Sequence, residues 1–199
     1  MRTLLHCYAF VVMTLCLLAG PVAAAVPDPS KSHSDPVLVG NSSGADMGNK
    51  FHVNVRDVGN VPKHGAQVSL VFFSSPARPL MEQETGTSAT CASPANISRV
   101  TDQNGDVFFH ARIAGFDDGG TTVQVRASGV LLRSIPVRST DLNGDGTTDL
   151  SDLHLFRERF LFDPTAAETD FNQDGVTDVS DLGLFRREFF VGARGTPCP

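Results

Sequence analysis

The sequence predicts a mainly β sandwich followed by a small all-α pair of loop–helix units. Between residues 36 and 138, short segments that alternate apolar and polar residues are separated by Gly, Asn, Asp and Pro, as in proteins built from several short strands. Between residues 139 and 191, an Asp-rich segment occurs twice at a spacing of 29 residues, and each copy continues into a helical apolar pattern.

The N-terminal segment, residues 1–25, has the features of a secretory signal peptide. A positive end is followed by an almost wholly apolar run at residues 4–18 and by small residues at 22–25. The run is shorter than the ~20 apolar residues of a membrane-spanning helix, which favours cleavage after Ala24 or Ala25 over a membrane anchor. We therefore expect a secreted or cell-surface protein with no membrane span after cleavage.

Two cysteines, Cys91 and Cys198, remain after the predicted cleavage. In an oxidising compartment they could form a disulfide that joins the C-terminal tail, residues 192–199, to the preceding module. Two separate thiols fit the sequence equally well, so the sequence alone leaves the pairing open.

The first module is preceded by residues 26–35, whose Pro, Ser and Asp content predicts a flexible linker. About 100 residues follow, enough for one modest core. Residues 76–95 lack a strand pattern, and we expect a long loop there. Strands are predicted at residues 51–56, 68–73, 107–113, 122–126 and 130–137.

Several turn motifs of this module resemble those of bacterial Ig-like modules of the invasin type. They are VRD at 55–57, NVP at 60–62, GAQV at 65–68 and TDQNG at 101–105, the last of which we expect to form a turn. The resemblance implies an Ig-like sandwich over residues 36–138 that serves as a spacer or stalk.

The duplicated segment comprises residues 141–161 and 170–190, and 13 of the 21 aligned positions are identical. Its two twelve-residue loops contain eight Asp and no Lys or Arg, whereas the rest of the chain carries 14 acidic and 16 basic residues. The net charge of −6 is therefore concentrated in the loops. This distribution favours a cation as partner and gives no indication of nucleic-acid binding.

Each loop offers oxygen ligands at the spacing that calcium requires. Calcium takes about six to eight oxygens, here from side chains at positions 1, 3, 5, 9 and 12 and the carbonyl of position 7, with Gly at position 6 for a sharp turn. The absence of Cys, and of His at these positions, argues against zinc. The predicted ligands of two calcium ions are Asp141, Asn143, Asp145, Thr147, Asp149 and Asp152 in the first loop, and Asp170, Asn172, Asp174, Val176, Asp178 and Asp181 in the second.

A helix of about three turns is predicted after each loop, with apolar residues at i, i+3 and i+7 on one face. Neither helix can bury that face alone, so we expect the two to pack together. Ser151 and Ser180 are the predicted N-caps. The apolar positions are Leu153, Phe156 and Phe160 in the first copy, and Leu182, Phe185 and Phe189 in the second.

Residues 139–191 resemble a type I dockerin, a module of two loop–helix units that docks onto a cohesin domain. The resemblance rests on the paired loops, on Asp at position 12, and on the lack of an entering helix, since Pro136 and Pro164 precede the loops. It implies docking to a cohesin-like domain of a scaffold or surface protein. The implied contact residues are Leu150, Ser151, Arg157, Val179, Ser180, Arg186 and Arg187, and Glu158 departs from the family's basic pair.

Three functions follow from these features. The first is calcium-dependent docking through the helical pair, with the Ig-like module as a spacer. The second is a calcium-stabilised surface or adhesin-like protein that docks nothing, and the third is a non-catalytic component of a polysaccharide-degrading complex. We do not expect an enzyme, because the sequence lacks G-x-S-x-G and H-E-x-x-H motifs and has no Trp for a sugar platform.

Overall fold

The computed structural model describes residues 25–41, 50–73, 75–117, 123–191 and 195–199. The predicted signal peptide falls almost entirely on residues 1–24, which lie outside the described residues. Within the described ranges there are twelve strands and two α-helices. The strands are β1 His33–Ser34, β2 Leu38–Gly40, β3 Phe51–Asn54, β4 Gln67–Phe72, β5 Arg78–Pro79, β6 Ser88–Thr90, β7 Ala95–Val100, β8 Asp106–Phe109, β9 Ile113–Ala114, β10 Val123–Ala127, β11 Val130–Ile135 and β12 Val137–Ser139, and the helices are α1 Leu150–Phe162 and α2 Val179–Val191.

The β module is built on two antiparallel sheets. One has five strands in the order β11-β10-β4-β7-β6, and the other has three in the order β1-β3-β8. Alternate side chains of each strand point to one side, so that Val123 and Val125 of β10 are buried while Gln124 between them is only half-buried. Apolar side chains of both sheets enter one core. The protein is therefore mainly β, with an arrangement consistent with a sandwich.

The segment predicted as a long loop, residues 76–95, contains two short strands instead. β6 pairs with β7 at the edge of the five-stranded sheet, where Ala89 faces Ile97, and β5 pairs with β9. Both strands are too short to show an alternating pattern, and β5 includes Pro79, which is tolerated at an edge. The prediction of a loop at residues 76–95 failed because these strands form by pairing with neighbouring strands and have no recognisable pattern of their own.

The linker predicted to be flexible, residues 26–35, is attached to the three-stranded sheet. β1 pairs with β3, and the backbone N–H of Asp28 donates to the carbonyl of Arg56 at 2.8 Å. The carboxylate of Asp35 accepts a hydrogen bond from the N–H of His52 at 2.7 Å. This lead-in is therefore attached to the module, with His33–Ser34 as an edge strand, where the sequence predicted a flexible linker.

The TDQNG segment forms the predicted turn before β8. The Asp102 carboxylate accepts from the backbone N–H groups of Asn104 and Asp106 at 2.8 and 2.9 Å. Gly105 completes the turn with a φ of +78°, a conformation that costs other residues free energy. The segment starts as the acidic loops do, with Asp102, Asn104 and Asp106 at positions 1, 3 and 5, but its sixth residue is Val107 of β8 instead of a glycine.

Replacing Gly105 by alanine should destabilise the β module by about 3 kcal/mol, since a Cβ there would add a steric clash to the cost of a positive φ. The added atom would lie 2.5 Å from the carbonyl oxygen of Val55. Gly129→Ala is the matched control, because Gly129 has a φ of +85° but no atom within 4 Å of an added Cβ. Urea denaturation of both variants measures the difference, and equal losses would contradict the contact argument.

The two helices pack against each other and against the β module. The rings of Phe156 in α1 and Phe185 in α2 lie 5.4 Å apart, as expected from their apolar faces. Their cluster also includes Val39 of β2, with Val37 and Phe116 packed at its margin. Among the described residues, no helix is long and apolar enough to cross a membrane.

The two remaining cysteines form a disulfide between Cys91 and Cys198, with their Cα atoms 5.0 Å apart. The bond joins the C-terminal tail to the segment between β6 and β7, which resolves the alternative that the sequence left open.

Candidate metal centre

Each acidic loop enters its helix through the Asp at position 9. Asp149 is the N-cap of α1: its carboxylate accepts from the N–H of Ser151 at 2.8 Å, and the Asp152 carboxylate accepts from the N–H of Asp149 at 2.8 Å. The second loop repeats this arrangement at Asp178 and Asp181. The predicted N-caps Ser151 and Ser180 are therefore wrong, since both lie in the first helical turn.

The Asp at position 12 fastens the start of each loop to the start of its helix. Asp152 and Asp181 are both fully buried. Besides its bond at the helix start, Asp152 accepts from the N–H of Asn143 at 2.9 Å, and Asp181 accepts from Phe171 and Asn172 at 2.7 and 3.0 Å. One carboxylate thus accepts hydrogen bonds from the backbone at both ends of a twelve-residue loop. This is the placement expected of a bidentate ligand at position 12.

The Asp at position 1 lies inside the turn of each loop. Asp141 is fully buried and accepts from the N–H groups of Gly144, Asp145 and Gly146 at 2.7 to 3.1 Å. In the second loop Asp170 accepts from the corresponding groups of Asp174 and Gly175 at 3.1 Å. Each pattern folds the backbone around a carboxylate that faces the middle of the loop.

The glycines at position 6 make these turns possible. Gly146 has a φ of +93° and Gly175 a φ of +94°, values that L-residues with a Cβ seldom adopt. Position 4 is also left-handed, with Gly144 in the first loop and Gln173, at a φ of +65°, in the second. The two loops therefore have the same backbone path despite different residues at position 4.

Positions 3 and 5 are paired in both loops. The side-chain amide of Asn143 donates to the Asp145 carboxylate at 3.0 Å, and that of Asn172 to Asp174 at 2.8 Å. The other oxygen of each of these carboxylates accepts from the N–H of position 7, at Thr147 or Val176. Hydrogen bonds thus link positions 1, 3, 5 and 12 within each loop, whereas the carboxylates of Asp149 and Asp178 cap the helices.

Burial makes the negative charge of the first loop costly. Burial, followed by the repulsion of Asp152 and Asp145, raises the pKa of Asp141 to about 7, although backbone N–H groups oppose the shift. Burial likewise raises the pKa of Asp152, with a further contribution from the charge of Asp145. A cation placed among these oxygens would offset both effects, which is the electrostatic condition for a metal site.

The donor set fits calcium better than other metals. Within the described ranges, no three His, Cys, Asp or Glu side chains are arranged so that they could hold a metal as they stand. Calcium, however, also takes amide and backbone carbonyl oxygens, which positions 3 and 7 supply, and its coordination geometry is flexible. The carboxylates at positions 1, 5 and 12 each keep oxygen lone pairs beyond those used by backbone donors.

Two features of the loops were missed from the sequence. Residues at position 2, Leu142 and Phe171, are buried in the helical core. A threonine before each loop also forms a hydrogen bond with the threonine at position 8. The hydroxyl oxygens of Thr140 and Thr148 lie 3.0 Å apart, and those of Thr169 and Thr177 lie 2.7 Å apart. Both threonines recur in the two copies, so the repeat extends one residue further towards the N-terminus than the aligned segment.

The residues that the dockerin resemblance implies as contacts all lie on the surface. Leu150 is 72 % exposed and Val179 is 71 % exposed. Arg186 lies over the ring of Phe190 at 5.5 Å. The remaining contact positions, Ser151, Arg157, Ser180 and Arg187, are exposed as well.

Comparisons of the chain with models of protein families, with curated proteins and with solved structures find no match.

Proposed function

We propose that the chain is a secreted, non-catalytic, calcium-binding protein whose loop–helix pair docks onto a cohesin-like domain of a scaffold or surface protein. The Ig-like module acts as the spacer in this proposal. The residues 139–191 form the docking segment, with one calcium ion in each loop.

The observation that carries the proposal is the repeated geometry of the two loops. In both copies, buried carboxylates at positions 1 and 12 accept from equivalent backbone donors, and position 6 has nearly the same left-handed φ. Buried carboxylates are costly unless they are paired with a cation or otherwise compensated. Two such arrangements, each leading directly into a helix, favour a pair of metal sites over a chance cluster of turns.

Calcium binding and folding of the segment are expected to be coupled. Each loop carries four Asp and no basic residue of its own. Arg138 of β12 pairs with Asp170 in the second loop, but the remaining carboxylates of each loop repel one another until a metal cation is bound. The free energy of binding then contributes to the stability of the helical pair. Extracellular calcium at millimolar concentration would occupy about half or more of sites even of the weaker extracellular class, with Kd values of roughly 10⁻⁴ to 10⁻³ M.

Removal of calcium should therefore lower the helix content of the protein and its thermal stability. Circular dichroism of the secreted chain in excess chelator, followed by titration with calcium, measures the first effect, and calorimetry should count two ions per molecule. Magnesium at the same concentration is the control and should substitute poorly, because it prefers a smaller octahedral site. Full helix content in chelator, together with no heat of calcium binding, would contradict the proposal.

Docking is tested by capture of the protein on immobilised cohesin-bearing surface proteins, with calcium and with chelator. The exposed positions Leu150 and Val179 allow a matched variant, since replacing both by Asp should abolish capture without disturbing the core. The calcium stoichiometry of this variant should remain two. Capture that persists in chelator and in the double variant would show that another surface is responsible.

A purely structural function is the second candidate, and one observation favours it. The helical pair is not separate from the β module: Arg138 of β12 approaches the Asp170 carboxylate at 3.3 Å and also donates to its backbone carbonyl. Val37 and Val39 extend the helical core into the module. Calcium could thus rigidify the whole chain, and a protein that binds two ions but is captured by no cohesin would have this function.

A further inference from the structure

Residues 195–199, the described part of the C-terminal tail, lie against the outside of the first acidic loop. The N–H of Gly195 donates to the carbonyl of Gly146, the position 6 residue, at 2.9 Å. A Cβ on Gly146 would overlap the carbonyl oxygen of Gly195 and lie 2.9 Å from Cδ of Pro197. Tail and loop are therefore in direct backbone contact, and only glycine leaves room for it.

The same tail is fixed to the β module on its other side. The N–H of Met81 donates to the carbonyl of Thr196, and the N–H of Cys198 donates to the carbonyl of Pro79, both at 2.9 Å. The disulfide with Cys91 closes this attachment covalently, and Cys198 is fully buried. Arg78 of β5 adds a hydrogen bond to the carbonyl of Gly144 in the loop at 2.9 Å.

Among the residues that the structure describes, none gives the second loop equivalent support at its turn. A Cβ on Gly175, which occupies position 6 there, would have no atom within 4 Å. Gly175 is exposed, whereas Gly146 is buried. Two loops of similar sequence thus differ in whether the C-terminal tail contacts position 6. This difference does not follow from the repeat, because it comes from residues at the end of the chain.

We infer that the disulfide-held tail is a positioning segment of the first calcium site, so that this site depends on the Cys91–Cys198 bond and the second site does not. This inference rests on the proposed calcium binding of the loops. The tail fixes the peptide of Gly146, whose neighbour Thr147 supplies the position 7 carbonyl. When the disulfide fixes the tail, the first loop loses less conformational freedom as calcium binds. This raises the affinity of the first site for calcium.

The coupling must act in both directions. If the intact disulfide raises the calcium affinity of the first site, calcium bound there stabilises the tail contact and protects the disulfide from reductant by the same factor at equilibrium. Coupling of this kind typically amounts to about 5- to 150-fold. The second site supplies an internal reference, since its affinity should be the same with and without the bond.

The first test is calorimetry of the full secreted chain and of a Cys91→Ser, Cys198→Ser double variant. The expected result is that one site of the intact protein becomes about tenfold weaker in the variant, while the other site keeps its affinity. If the variant does not fold, gentle reduction of the folded protein before the titration provides the same comparison. Two unchanged sites after loss of the bond would overturn the inference while leaving the proposed function intact, whereas no binding by the intact protein would overturn both.

The second test measures the rate at which the disulfide is reduced and uses the two position 6 glycines as a matched pair. Gly146→Ala should displace the tail, expose the buried Cys198 and so accelerate reduction of the disulfide by dithiothreitol about tenfold, even in excess chelator. Gly175→Ala imposes the same backbone strain on the other loop and should leave the reduction rate unchanged. Equal rates in both variants, or a rate in the intact protein that calcium does not slow, would overturn the inference.

Discussion

Replacing Phe156 by alanine should lower the free energy of unfolding of the helical pair by about 3–5 kcal/mol. Phe156 is only 1 % exposed and lies at the centre of the aromatic cluster, with its ring 5.4 Å from Phe185 and 6.1 Å from Phe171. Truncation leaves a cavity between the two helices and the second loop. Chemical denaturation in saturating calcium, followed by helix ellipticity, measures the loss.

Phe162→Ala is the control for this variant. Phe162 ends the same helix but is 82 % exposed, so its truncation should change the free energy of unfolding by less than about 0.5 kcal/mol. Similar losses in the two variants would mean that the effect comes from helix propensity or general hydrophobicity. The aromatic cluster would then not be the core that holds the helices together.

Changing Asp152 to Asn should remove calcium from the first loop, and changing Asp181 to Asn should remove it from the second. Each variant loses one charged oxygen ligand at a fully buried position and weakens the link between loop and helix. Replacing a ligand should exceed the roughly 10- to 100-fold loss that outer-shell changes cost in metal sites. Calorimetry should therefore count one ion in each single variant and none in the double variant.

Asp163→Asn makes the same change of charge outside the loops. Asp163 is exposed at the C-terminal end of α1, so this variant should still bind two ions with little change in affinity. A loss of affinity in all three variants would assign the effect to net charge. Two ions in the Asp152→Asn variant would exclude the first loop as the site.

The sequence was most informative where local patterns decide the structure. Strand patterns correctly indicated β3, β4, β8, β10 and β11, although β7 was not predicted, and the repeated Leu and Phe spacing correctly located both helices and the faces that meet at Phe156 and Phe185. The turn at Asp102 followed from its own side-chain chemistry. These features depend on residues close together in the chain, which is why pattern and propensity were enough.

What the sequence did not show depends on distant partners. β1, β5 and β6 have two or three residues each and exist because a neighbouring strand pairs with them. The N-caps were misassigned because a carboxylate two residues before each Ser takes the capping bond. Within the candidate site, the oxygen donors follow from loop spacing, whereas the support that distinguishes the two loops comes from β5 and from the end of the chain.

The junction between the β module and the first loop has mechanical consequences. β12 runs parallel to β2 and ends at Ser139, and the hydroxyl of that residue accepts from the N–H of Asp141 at 3.2 Å and donates to the carbonyl of Ile113 at 2.6 Å. Residues 139–141 are fully buried. The strand therefore continues into the loop through buried, hydrogen-bonded residues without a hinge. A protein bound to the helices would be held at a fixed angle to the sheets. A pulling force between them would load the β2–β12 pair in shear.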